Sequence, residues 1–415
     1  MCDSVVSRTR LFLPLIFVVL LSTATLYTTP ALANQILTAG RIFGSIATVD
    51  NEGALIVIGS SSFFSNGRSE AFFFKYAPSG TRLCMKTFGN GEPLDTFGYS
   101  VVTDSSDNIY IVGTTQTFGG EDYDVFLQKY DQSCNFVYRL QWAGPGNDVA
   151  RGIAVDATDN VYITGSTTSF GSGQADVFLL KYTSDGTLVF SKTWGGQQND
   201  YGNGVAVDIQ DNVYVVGSTS SYGAGQSDVV LLKFDPSGNL LFQQTWGGSQ
   251  NDYGTGVVVD AAGDAYVAGY TFSRGATPGI SSVVLLKYDP SGNLLLNRMW
   301  GGTQNDFSSG IAVDIAGNLY VTGYTFSYGV TPGVASTFLL KFDQSGSLLF
   351  QRIWGGHKGD FGYGIAVDFA GNVYVTGYTY SFGPNTQGAN LFILKYDLSG
   401  DLVSQKTYGG GIPDP

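Results

Sequence analysis

Seven aspartates recur at intervals along the chain: Asp95, Asp148, Asp200, Asp252, Asp306, Asp360 and Asp414. Asp148, Asp200, Asp252, Asp306, Asp360 and Asp414 each follow an aromatic residue by six positions. Brought together, such a series would form a carboxylate ring able to hold Ca²⁺ or another hard cation, which needs several oxygen ligands. The competing role is local: an Asp in an Asn-Asp-x-Gly stretch caps its own turn. The chain has no Asp-x-Asp-x-Asp-Gly calcium loop, which favours the turn. His357 is the single histidine. With no positioned Ser, Cys or second ligand, it makes neither a triad nor a zinc site, and is expected on a surface loop. No catalytic constellation emerges, so the expected function is binding, without catalysis and without an obligatory cofactor.

A second set of residues suits recognition. Phe118, Phe170, Tyr222, Tyr328 and Phe382 each lie beside a glycine, with Arg274 at the corresponding place in one copy. Rings so placed would stack on sugars or dock peptides; alternatively each covers apolar surface beneath it. Arg68, Arg151 and Arg274 have no counterparts elsewhere in the chain and are further candidates, as is His357.

The elements that must carry these residues come from an internal repeat, which is sought first in any such chain. Gly204–Gly217, Gly310–Gly323 and Gly364–Gly377 are copies of one phrase (GVAVDIQDNVYVVG, GIAVDIAGNLYVTG, GIAVDFAGNVYVTG). Its Asp occurs seven times: Asp50, Asp104, Asp156, Asp208, Asp260, Asp314 and Asp368. Each is followed by a Gly nine positions on, then by a Lys (Lys75, Lys129, Lys181, Lys233, Lys287, Lys341, Lys395), then by an aromatic thirteen further (Phe88, Trp142, Trp194, Trp246, Trp300, Trp354, Tyr408). Each unit contains four runs rich in Val, Leu, Tyr and Phe, separated by turn residues, which predicts four strands, here a to d. Asp-x-x-Gly/Asp-Asn between a and b and Asp-Pro-Ser-Gly-Asn between c and d suit tight turns. One such sheet cannot bury both faces, but a closed ring of them can. The predicted fold is all-β: a seven-bladed β-propeller with four antiparallel strands per blade. The lysines sit in apolar strands and need partners; the Asp ending strand a lies at the same edge, so one Lys–Asp pair per blade is expected, within or between blades. The aromatic ending strand d is expected between blades.

Loop lengths divide the ring into two faces. The a–b and c–d spans never change length. The Gly-to-Lys span, across the b–c loop, is sixteen in four copies and eighteen in the last three. Length changes therefore collect on the face of the b–c and d–a loops, where binding is expected. The chain stops within the seventh d–a loop, so the ring is expected to close between the seventh strand d and the first strand a, with residues 35–43 helping to seal it.

These phrases, together with LLKYDxSGNLL and TWGG, resemble the seven-bladed β-propeller repeat (SBBP) family over nearly the whole chain after its first residues. The resemblance implies the propeller fold and an exported protein, with no general activity assigned. The first copy, SIATVDNEGALIVIG, departs most, lacking the Asn-aromatic pair.

Residues 1–33 read as a signal peptide: Arg8 and Arg10, the apolar run Leu11–Leu21, then Ala31-Leu32-Ala33. The run is too short for a span, which needs about 20 apolar residues. Residues 34–415 are then one propeller domain, expected in a secreted or cell-surface monomer. A net charge of −13 argues against nucleic acid and anionic membranes as partners. Export permits a disulfide, and Cys84 and Cys134 are either paired with each other or two free buried thiols. The expected function is an exported scaffold binding a glycan or protein on its variable-loop face. The alternatives are a structural surface or matrix protein, or a hydrolase or lyase acting at the channel mouth.

Overall fold

The computed structural model describes residues 42–65, 68–89, 95–116, 122–275, 277–385 and 388–409. The chain divides into Met1–Ala39 and Gly40–Pro415, and every described residue lies in the second unit. There the chain forms seven four-stranded antiparallel sheets, each from one continuous segment with its strands in sequence order. They are blade 1 (Ile42–Phe88), blade 2 (Thr96–Trp142), blade 3 (Asp148–Trp194), blade 4 (Asp200–Trp246), blade 5 (Asp252–Trp300), blade 6 (Asp306–Trp354) and blade 7 (Asp360–Tyr408). This is the seven-bladed propeller expected from the repeat.

Burial explains the composition of each strand. Strands b and c of blade 4, Val213–Thr219 and Asp228–Phe234, are buried at every position. Strand d, Leu240–Trp246, alternates and ends on a buried Trp. The cores lie between sheets: Tyr214, Val216, Val229, Leu231 and Trp246 of blade 4 pack against Val257, Val267, Val284 and Leu286 of blade 5. At about 25 cal/mol per Å² of apolar area, this inter-blade burial is the main stabilising term.

The ring closes by the same packing. Val57, Phe72 and Phe74 of blade 1 share a core with Tyr374, Leu391 and Ile393 of blade 7. Lys406 of blade 7 donates to the Gly80 carbonyl of blade 1 (2.7 Å). No strand is exchanged across this seam among the described residues. Of the stretch expected to seal the ring, residues 35–41 lie outside the described residues. Ile42 and Phe43 begin strand a of blade 1, paired with Ser61 and Ser60.

Cys84 and Cys134 form a disulfide, settling the alternatives left by the sequence. It joins strand d of blade 1 to the c–d turn of blade 2. Cys134 has φ 65°, at a turn position held by glycine in the other six blades (φ 84° at Gly80, 80° at Gly238). A non-glycine residue there is strained, and the cross-link keeps it in place.

The lysines bind blade to blade. Lys75, Lys129, Lys181 and Lys233 pair with the Asp ending their own strand a, at 2.9, 3.8, 4.0 and 3.8 Å. Blade 5 departs from expectation: Lys287 pairs with Asp264, which replaces the usual Asn, at 2.8 Å. Among the described residues, no ion pair within 4.0 Å is formed by Lys341 or Lys395. The reason for the longer distances is a phenol. Tyr110 and Tyr162 donate their O–H to the Asp104 and Asp156 carboxylates (3.1 Å each), and the lysine lies over the ring instead, 4.8 Å for Lys129 and 5.0 Å for Lys181. Blade 1 has Ile56 in place of that Tyr, and its Lys75 reaches Asp50 directly. Five of the ammoniums, those of Lys75, Lys129, Lys181, Lys233 and Lys341, also extend to the next blade's c–d turn: Lys129 donates to the Ser184 carbonyl (3.0 Å) and Lys233 to that of Pro290 (3.0 Å).

Candidate functional site

The recurring aspartates at the head of strand a are buried turn-builders. Asp200 Oδ2 accepts from the Gly196 N–H (2.8 Å) and the Ser221 hydroxyl (2.7 Å), tying the d–a loop to its own blade's b–c loop. Asp252 accepts the equivalent pair from Gly248 and Ser273, and Asp148 accepts from the hydroxyls of Thr167 (2.5 Å) and Ser169 (2.9 Å). Asp306 and Asp360 accept from Thr325 and Ser327 and from Thr379 and Ser381. Asp95 accepts from the Ser69 N–H (2.7 Å), and Asp414 lies outside the described residues. Among the described residues no three His, Cys, Asp or Glu side chains come together as a metal site.

A second buried acid meets this series at some blade boundaries, which the sequence reading missed. A β-carbon at Gly195 would overlap Asp176 Oδ1 and lie 2.7 Å from Asp200 Oδ2, so the two carboxylates face each other across that glycine. Asp228 and Asp252 meet over Gly247 in the same way. The Oδ1 atoms of Asp176, Asp200 and Asp228 have no hydrogen-bond partner. Burial raises the Asp176 and Asp228 carboxyls above the ordinary range, and the facing carboxylate adds to the rise. In blades 5 and 6 the second acid is replaced by Ser282 and Ser336, and in blade 7 by Asn390. The available signal was the residue five before each Lys: Glu70, Asp124, Asp176 and Asp228, then Ser, Ser, Asn.

The loop aromatics close the blade boundaries from above. Phe170 lies 5.0 Å from the Trp142 ring of the preceding blade, Tyr222 5.2 Å from Trp194, Tyr328 5.2 Å from Trp300 and Phe382 5.0 Å from Trp354. Arg274 does the same job with its guanidinium, 5.4 Å over Trp246, while donating to the Gly247 carbonyl at 2.7 and 2.9 Å. One side of each therefore covers the blade edge. Phe170 and Tyr222 still keep 42% of their surface exposed. Phe118 lies outside the described residues. His357 is exposed on a loop, its Nδ1 3.0 Å from Thr331 Oγ1.

The symmetry breaks most sharply at the axis. Strand a is the innermost strand of each blade, and in all seven its pairing with strand b shifts by one residue at the same place. Such a β-bulge re-aims a side chain. The bulged residues are Gly44, Tyr99, Arg151, Asn203, Thr255, Ser309 and Tyr363. The next residue is glycine in five blades because the inner strands nearly touch there: a β-carbon at Gly152 would lie 3.1 Å from Gly204 Cα, and one at Gly204 would lie 3.2 Å from Gly256 Cα. Asn203 reaches the next blade, donating to the Gly254 carbonyl (2.8 Å), and Thr255 Oγ1 lies 3.0 Å from Ser308 Oγ.

Arg151 has no ion pair among the described residues, and its Nε is enclosed without a hydrogen-bond partner. Its charge is felt by Tyr99, Tyr201 and Tyr270, from blades 2, 4 and 5. Burial pushes the Tyr99 phenol up to about 12 and raises Tyr201 and Tyr270, while Arg151 opposes the rise in all three. These side chains keep some solvent access despite that desolvation, as groups lining a narrow channel do. Beside them, Tyr270, Tyr324 and Tyr378 of blades 5–7 stand where blades 1–4 have Ser60, Thr114, Ser166 and Ser218. Tyr270 lies 5.0 Å from Phe307, Tyr324 5.1 Å from Phe361, and Tyr363 5.5 Å from Tyr378.

Five segments match the model of the beta-propeller repeat family SBBP: residues 88–117, 137–171, 191–223, 300–328 and 350–383. These five segments carry SBBP repeats. Residues 210–240 also match a beta-propeller domain of unknown function, DUF5122. The regulatory protein FlaEY of Caulobacter vibrioides is 27% identical over 297 residues, covering 58% of this chain and 31% of FlaEY. The chain thus spans about a third of the length of the curated relatives it matches. Among solved structures, a puromycin hydrolase variant superposes with TM-score 0.55 at 13% identity, covering 94% of this chain and 56% of that one. The β-propeller domain of the Trilobed protease of Pyrococcus furiosus, described as having an open velcro topology, gives TM-score 0.52 at 9% identity, covering 89% and 96%. At these identities the structures share the fold alone.

Proposed function

We propose that this SBBP-repeat propeller is an exported, non-catalytic binding scaffold that receives a glycan or protein ligand on the face of its b–c and d–a loops, at the mouth of the axial channel. The observation that carries this reading is the separation of constant from variable residues. The repeated Asp, Lys and Trp residues are consumed in turns, blade-to-blade bonds and cores. The residues that differ between blades gather around the axis and on the loop face, where a single asymmetric ligand would be read. The Arg8–Ala33 leader pattern and the Cys84–Cys134 disulfide support export into an oxidising compartment. A non-catalytic role fits the engagement of the reactive groups: the buried carboxylates accept from serine and threonine hydroxyls, and His357 meets Thr331.

A glycan array and a pull-down with the secreted protein test the reading. Binding that Tyr222→Ala and Tyr324→Ala weaken supports it; binding untouched by any loop-face or channel substitution counts against it.

A second reading, a structural surface protein, has its own observation. The outer strands of blades 2–7 each begin with two exposed apolar residues, such as Leu240 and Leu241 (42% and 54%). Concentration-dependent self-association lost on Leu241→Ser would favour it.

A further inference from the structure

We propose that the axial channel binds a carboxylate-bearing sugar, a hexuronate unit, with Arg151 holding the carboxylate and the aromatic side chains of blades 5–7 holding the ring. This rests on the loop-face binding reading and names the ligand class that the site takes.

Four observations lead there. First, the bulge that presents Arg151 is built into every inner strand, yet its residue varies among Gly, Tyr, Arg, Asn, Thr and Ser, and every side chain it presents is polar. A shared backbone device with unshared side chains serves recognition better than packing. Second, the guanidinium is uncompensated. Its half-buried side chain has an enclosed Nε with no hydrogen-bond partner among the described residues, and an anion entering the channel would complete it. Its planar fork matches a carboxylate bidentately. The neighbouring phenols of Tyr99, Tyr201 and Tyr270 come from three other blades, so the charge faces the axis and is shared by the ring. Their hydroxyls can donate to the same oxygens.

Third, the charge count selects a monoanion. Among the described residues Arg151 is the one cation at this ring of bulges, while buried Asp200 and Asp252 head the neighbouring inner strands. A dianionic phosphate would bring a charge that one arginine does not neutralise. Fourth, Tyr270, Tyr324, Phe361 and Tyr363 of blades 5–7 keep partial exposure while packing on the buried Phe307 and Tyr378. A pyranose presents an apolar face and hydroxyl edges, and phenol-bearing rings suit both.

The test is calorimetric titration of the secreted protein with digalacturonate, its dimethyl ester, galactobiose and inorganic phosphate. Digalacturonate is expected to bind at least tenfold more tightly than its ester, galactobiose or phosphate. Arg151→Gln should remove that tenfold preference with thermal melting unchanged, and Arg151→Lys should keep part of it. Tyr324→Leu should weaken acid and ester alike; Tyr324→Phe, which keeps the ring, controls for folding. Equal binding of acid and ester, or an unchanged preference in Arg151→Gln, overturns the carboxylate assignment while leaving loop-face binding standing. Phosphate competing as well as digalacturonate overturns it too, by showing a general anion site. Binding of none of the four probes overturns the sugar assignment, and the glycan array then decides the broader reading separately.

Discussion

Blades 1–4 and blades 5–7 are built to one plan, yet they answer its electrostatic problems differently. In blades 1–4 the strand-c lysine pairs with the aspartate ending strand a, and an acid heads strand c. In blades 5–7 the lysine pairs with a substitute acid or with none among the described residues, and Ser or Asn heads strand c. The same division runs toward the loop face: sixteen residues against eighteen between Gly and Lys, and Ser or Thr against Tyr just after the strand-b glycine. One arc concentrates charge and the other aromatic surface. The comparison teaches that the repeat tolerates either, because blade-to-blade apolar packing supplies most of the stability in both arcs.

The largest test of this division concerns the cross-link, which belongs to the charged arc alone. Closing a loop of 50 residues stabilises by about 4 kcal/mol in the chain-entropy treatment. Cys134→Ser should therefore lower the melting temperature clearly under oxidising conditions, and Cys134→Gly by less, since glycine relieves the positive φ. Calorimetry of the two variants checks this; equal losses would mean that the turn's strain contributes nothing.

Next comes the lysine comparison. Lys233→Met leaves Asp208 without its cation and should cost about 3 kcal/mol, whereas Lys341→Met, with no ion pair within 4.0 Å, should cost about 1 kcal/mol. Ligand affinity should not change in either. Equal costs would assign the lysine's role to the carbonyl and ring contacts that both share.

A smaller effect of opposite sign is expected at the facing acids. Burial raises the Asp228 carboxyl, so the folded protein holds that proton more tightly than the unfolded chain does. The group's contribution is then full below the ordinary carboxylate range and is lost as pH rises through the raised value. Asp228→Asn, copying Asn390 of blade 7, should stabilise at pH 7 by about 1 kcal/mol and by little at pH 4. Melting curves at both values decide it; stabilisation independent of pH would remove the facing carboxylate as the cause.

The smallest effect is at the loop rings. Phe170→Ala should cost about 1 kcal/mol through lost contact with Trp142. Arg274→Ala should cost somewhat less, since a solvated guanidinium is easier to give up.

Much of this was legible in the residues. The seven units, the four strands and the two constant turns are local patterns, so their period and turn residues declared them. The left-handed place in the c–d turn was visible as a glycine, with Cys134 as its one exception. The lysine's need for a partner was also legible, but not its reach to Ser184 or Pro290 in the following blade. The loop aromatics could be found but not assigned. Whether Phe170 waits for a ligand or leans on Trp142 depends on two residues brought together from adjacent blades. The bulges were hidden for another reason: a bulge is a slip in pairing between two strands, and neither strand's own alternation reveals it.

By itself, then, the sequence determined what each blade is, because hairpin pairing and turn chemistry act over a few residues and repeat with the period. It also marked Arg151 as a residue without counterparts. Only the closed ring decided that the charge of Arg151 is felt by Tyr99, Tyr201 and Tyr270, because those phenols come from three other blades and come near it only when the inner strands surround one axis.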